Sequence, residues 1–140
     1  MRRRHKARRW VLQILYAWEV QGSERDLQEE ATGFFERRRI ASETRAFAQT
    51  LIDVLAAHMG ELDRVLAESA ENWELDRMSI IDRNVLRMAL AEILHFDDIP
   101  FRVTIDEAVT LSTRYGGQDS PRFVNGVLDA IAHRLDLIPS

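Results

Sequence analysis

The chain has no cysteine, so disulfides, thiolate metal ligands and a cysteine nucleophile are excluded at once. It also lacks a long hydrophobic run: no apolar stretch approaches the ~20 residues that span a bilayer. Its basic beginning is not followed by the uncharged segment and small-residue cleavage site of a secretory leader, so a cytoplasmic protein without a membrane partner is expected. A phosphate-cradling P-loop, a dinucleotide-binding glycine fingerprint and a nucleophile elbow are all missing. The four histidines, His5, His58, His95 and His133, have no i, i+4 or HExxH spacing, so no metal site is expected. Paired carboxylates such as Glu29-Glu30 and Asp97-Asp98 read as an exposed face and a turn, with no pocket for acid–base work. No catalytic residue, cofactor or enzymatic activity is therefore expected. Period-2 alternation between turn signals is absent as well, which argues against a sheet.

Acidic residues are missing from one place in particular. Residues 1–9 hold six of the 19 Lys+Arg and none of the 23 Asp+Glu, so the remainder carries −10 against a whole-chain charge of −4. An acidic body with one basic end repels a polyanion in general and attracts it at one spot. The basic end opens the chain's clearest helix. Ala7, Trp10, Val11, Ile14, Leu15 and Trp18 recur at steps of three and four and draw one apolar stripe. Stacked cations at a helix N-terminus oppose the macrodipole, so they cost stability and invite a functional reading.

The same periodicity predicts about seven helices. The first runs from about Arg3 to Val20 and stops near Gly22. A second lies within Ser23–Glu36, followed by the basic connector Arg37-Arg38-Arg39. Ser42 is placed to cap the third, whose face carries Phe47, Leu51, Val54, Leu55 and His58 and which ends at Gly60. Leu62, Val65, Leu66 and Ala70 mark another, with Trp73 in the connection after it. Ser79 and Asp82 form a capping box before a helix apolar over a wide arc, as suits the middle of a bundle. Thr104 with Glu107 reads as a second capping box, Gly116 and Gly117 as a C-terminal stop, and Ser120-Pro121 as the cap and first residue of the last helix.

Nucleic acid is the ligand class these features favour. Phosphates require cations, and single-stranded bases require flat side chains on which to stack. Tyr16, Tyr115 and Phe123 stand near turns or helix starts, although core packing is the commoner role for each.

The segment Ile99–Asp129, IPFRVTIDEAVTLSTRYGGQDSPRFVNGVLD, is more specific. Its proline–aromatic start, I-x-E-A-V helix, aromatic–glycine end and F-V-N-G-V-L-D helix resemble, in that order, the NusB family of transcription antitermination factors. Upstream, Arg8 with Leu12, Leu15, Tyr16 and Trp18 is similar to the family's first helix. Asp82-Arg83, Leu86-Arg87 and Glu92 are similar to its central one. The likeness is weakest between Gly22 and Arg77.

The resemblance implies an all-α bundle of two packed three-helix-like subdomains, about 1–76 and 77–140, and no catalysis. It implies pairing with NusE, a ribosomal small-subunit protein, and joint binding of the single-stranded boxA element of nascent RNA. It further implies loading onto RNA polymerase with other Nus factors, notably on ribosomal RNA operons. By position it puts Arg4, Lys6 and Arg8 on RNA phosphates, with Arg2, Arg3 and Arg9 as helpers. Tyr16 falls near the RNA path, and Gln118, Asp119, Arg122 and Phe123 fall at the turn and helix start that touch RNA. Asp82 and Arg83 fall on the NusE side. This chain departs from many relatives at Pro121, where a polar donor is common, at Asp106 in place of asparagine, and at the extra cation Arg9. Glu92, Glu107 and Asn125 read as fold-supporting hydrogen bonders. A protein-interaction module, or a homodimer that buries its basic end, stays open as the alternative.

Overall fold

The computed structural model describes residues 2–70 and 75–137, with only the backbone of Arg2 and Asp76; the expected connection at Trp73 lies outside the described residues. The described residues are helical and contain no strand. Six α-helices follow in order: α1 (Arg2–Val20), α2 (Leu27–Glu36), α3 (Ser42–Ser69), α4 (Ile80–His95), α5 (Phe101–Tyr115) and α6 (Ser120–Arg134), with a single 3-10 turn at Leu75–Arg77 before α4. They fall into two compact units, Met1–Ala57 and His58–Ser140.

In the first unit, Ala7, Val11, Ile14 and Leu15 of α1 are wholly buried, as the three-and-four spacing requires. The chain leaves α1 through Gly22 at φ +96°, a left-handed turn that favours glycine. Trp18 Nε1 donates to the Arg25 carbonyl at 2.7 Å and closes that turn. Asp26 caps α2, its side chain accepting from the Gln28 N–H. Phe34 and Phe35 of α2 enter the core, Phe34 edge-on to Trp10 at 5.7 Å between ring centroids. Of the basic connector, Arg38 lies 3.6 Å above the Phe34 ring, while Arg37 and Arg39 are exposed.

Helix α3 does not end at Gly60. It kinks at His58 (φ −124°, ψ 15°) and resumes helical geometry straight through the glycine. The apolar period continues in Leu62 and Leu66, both fully buried, and that burial outweighs the helix cost of one glycine, ~1 kcal/mol.

In the second unit, α4 is buried without interruption from Asn84 to Glu92, as expected of a bundle's central helix. Ser79 Oγ accepts from the Asp82 N–H at 3.1 Å, forming the predicted cap. Two interior polar links fix this helix. Arg87 forks onto Asp63 through Nε and Nη2 at 2.8 and 2.9 Å, and Glu92 accepts from Thr104 Oγ1 at 2.9 Å.

Thr104 is thus not a helix cap. Helix α5 begins at Phe101, one turn earlier, because Pro100 supplies the extended residue that starts it. Thr104 is buried inside the helix and turned to Glu92, so Glu107 is not half of a capping box. Ser120 departs from expectation in a similar way. Its Oγ accepts from the Gly117 N–H behind it at 2.9 Å, and it does not cap the turn ahead.

Candidate nucleic-acid interface

The cations of α1 do not share one environment. Arg3 is exposed and ion-paired with Glu43 of α3. Arg4 sits over the Phe47 ring at 4.8 Å. Arg8, expected on a phosphate, is 3% exposed, its guanidinium 5.3 Å from the same ring. Its side chain is thus largely withdrawn from solvent. Of Arg2 only the backbone is described, and its side chain lies outside the described residues.

Lys6 is exposed, and Arg9 half-exposed. With Trp10 and Gln13 they line a shallow cleft of about 140 Å³. Tyr16, 46% exposed, and Val20, 57% exposed, continue at the next helical steps. Lys6, Arg9, Gln13, Tyr16 and Val20 therefore form one outward stripe, cationic at its beginning, amide in the middle and aromatic beyond. Gln13 was missed in the sequence, although the spacing that found the buried stripe defines its complement equally well.

The second group of expected residues lies in the other unit. Gln118, Asp119 and Arg122 are exposed and Phe123 is half-buried. They stand on a turn that Ser120 fastens from both sides: its Oγ accepts from Gly117 N–H, and its own N–H donates to the Gly117 carbonyl at 3.1 Å. Gly116 is in extended geometry (φ −92°, ψ −173°), so it needs no left-handed freedom. What it needs is space beside Ser120. Arg122 and Phe123 open onto a groove of about 550 Å³ floored by Gly126 and Ala130. Arg134 borders it, held by Ser69 Oγ at 2.9 Å and Glu68 Oε1 at 3.1 Å. A cation, a flat ring and an open floor suit a stacked base beside a phosphate.

Of the two residues expected to face a partner protein, Arg83 is engaged at home. Its Nη1 donates to the carbonyls of Leu75 at 2.6 Å and Met78 at 2.9 Å, fastening the 3-10 turn to α4. Asp82 is half-buried, and its Oδ1 has no hydrogen-bond partner within the described residues.

The NusB family model matches residues 5–133, nearly the whole chain. The chain belongs to the NusB family of antitermination proteins. It is 40% identical to the transcription antitermination protein NusB of Thermodesulfovibrio yellowstonii over 138 residues, covering 93% of this chain and 91% of that one. The structure is similar to that of Thermotoga maritima NusB, with TM-score 0.85, 35% identity and coverage of 93% and 90%. It is also similar to the NusB solved with NusE and double-stranded RNA, with TM-score 0.85, 27% identity and coverage of 96% and 98%. These NusB structures bear out the all-helical bundle.

Proposed function

We propose that this NusB-family chain is a transcription antitermination factor that binds boxA-type single-stranded nascent RNA together with NusE. In this reading the complex joins RNA polymerase with other Nus factors and promotes read-through of terminators, notably in ribosomal RNA operons. The observation that carries the reading is the exposed stripe of α1, cations followed by Gln13 and Tyr16, on a chain whose remainder is strongly acidic. Such a stripe concentrates polyanion affinity at one face. The structural relative solved with NusE and double-stranded RNA supports RNA as the ligand class and NusE as the partner.

Lys6 and Arg9 take phosphates, with Arg2, Arg3 and Arg4 adding charge nearby. Tyr16 stacks on a base. On the other unit, Arg122 takes a phosphate, Phe123 stacks or wedges against a base, and Gln118 and Asp119 address base edges. Arg8 acts indirectly by holding α1 against Phe47. Asp82 and Arg83 serve the NusE side through the start of α4, which Arg83 braces.

Fluorescence-anisotropy titration of labelled boxA RNA, a scrambled strand and a duplex, each with and without NusE, tests this directly. The expected result is preference for the boxA strand, sharpened by NusE. Equal binding to all three would reduce the stripe to a generic cationic patch. No binding by a chain that runs as a dimer would favour the interaction module.

A further inference from the structure

The histidines that stand apart in the sequence do not stand apart in space. His58, the kink residue of α3, stacks on His95, the last residue of α4, with ring centroids 4.1 Å apart and planes 18° from parallel. Glu61 follows His58 by three residues, and its Oε1 is 3.1 Å from His95 Nε2. One potential ligand atom from each of the three lies within 4.8 Å of the other two. All three belong to the unit His58–Ser140. His58 and Glu61 are half-buried while His95 is exposed, so solvent reaches the cluster from one side.

The geometry points to a binding site for a first-row divalent metal of the zinc type, held by His58, Glu61 and His95. Two imidazoles and one carboxylate form a borderline donor set that suits zinc and its neighbours and disfavours magnesium and calcium, which take oxygen ligands. Three protein ligands leave a fourth tetrahedral position for water. Stacked rings have their lone pairs in nearly parallel planes, which do not converge on a point. Binding therefore turns at least one ring about its side-chain torsions. The three donor atoms then close to the roughly 3.4 Å separation that tetrahedral geometry demands at metal–ligand distances of about 2.1 Å. The metal takes the place of the hydrogen bond between His95 Nε2 and Glu61 Oε1, and because imidazole ligates only as the free base, binding weakens in acid. Because His58 is the one residue of α3 outside helical geometry, ligation clamps the kink. This site is independent of the RNA-binding reading.

The test uses the full chain without a histidine tag, stripped with chelator and titrated with zinc chloride against a chromophoric zinc indicator. One zinc per chain is expected, with a raised melting temperature, and no displacement by magnesium. His58→Ala, Glu61→Gln and His95→Gln are each expected to weaken binding at least about tenfold. His5→Ala and His133→Ala are expected to leave it unchanged. His95→Gln alters an exposed helix-terminal position, so its fold, checked by circular dichroism, should be intact and its result decisive. Cobalt(II) gives a second readout, an intense visible band expected for the wild type and lost in His95→Gln. Zinc binding unaltered by His95→Gln, or abolished by His5→Ala or His133→Ala, would overturn the assignment. So would a chain that takes up no zinc.

Discussion

A β-carbon added to Gly116 would lie 2.6 Å from both Cβ and Oγ of Ser120, and 2.8 Å from the Ser112 carbonyl. Real Cβ atoms do not approach so closely, so the two residues fit only while the first is glycine. Gly116→Ala is therefore expected to destabilise the protein by about 1–3 kcal/mol through forced backbone displacement. Gly117→Ala is the control, since its Cβ would meet Ser120 Oγ at an ordinary 3.9 Å. Urea denaturation of both variants checks the difference. Equal stability of the two would refute the close-approach argument.

Thr104→Val removes one hydroxyl at nearly constant shape. Glu92, 2% exposed, then loses the donor 2.9 Å away in a place water does not reach. A loss of about 1–3 kcal/mol is expected for one buried hydrogen bond removed. Thr104→Ser keeps the hydroxyl and should retain more than half of that stability. Equal stability of the Ser and Val variants would refute the buried bond to Glu92.

These cases show where the sequence was readable. Helices α1, α2, α4 and α6 follow from apolar periodicity, which survives folding because it is what folding buries. Thr104 and Ser120 carry cap-like spacing, yet a hydroxyl bonds to whichever partner the fold brings near, and neighbours in sequence do not name that partner. The kink at His58 falls two residues from the end expected at Gly60, but Leu62 and Leu66 continue the helical period, so a kink could not be told from an end. His58 and His95 meet only because α3 and α4 lie together at that end of their unit. On the candidate interface, the cations and Tyr16 were legible from charge and position. The burial of Arg8 was not, because a basic residue among basic residues shows no sign of the ring it packs on.

The Arg87–Asp63 fork calls for a different perturbation. Arg87 is 7% exposed, while the Asp63 side chain keeps 30% of its surface in water, so the pair is buried from one side only. Asp63→Ala leaves a guanidinium with Asn84 Oδ1 at 3.0 Å and no fork. Removing one partner of a fully buried pair costs about 3–5 kcal/mol, and the wet side of this one reduces the expectation to about 2 kcal/mol. Thermal denaturation at low and high salt checks it. A wild-type advantage that vanishes in high salt would show the pair to be an ordinary surface contact.

Lys6 and Arg8 separate charge that binds from charge that packs. Each phosphate neutralised on a single strand contributes about 0.7 to the slope of log affinity against log salt. Lys6→Gln, at an exposed position, should lower the slope for RNA by about that amount and leave the melting temperature nearly unchanged. Arg8→Ala should do the reverse. Its guanidinium over Phe47 and its buried stem contribute about 1–3 kcal/mol to stability, while the slope stays at the wild-type value. Phe123→Ala gives a third pattern, since base stacking is worth about 1–3 kcal/mol per base and carries no counterion release. Affinity for boxA RNA should fall roughly 5- to 150-fold at every salt concentration with parallel slopes. Anisotropy titrations at four salt concentrations resolve the three patterns together. A slope reduced by Arg8→Ala as much as by Lys6→Gln would mean that Arg8 leaves its place on Phe47 to reach the RNA.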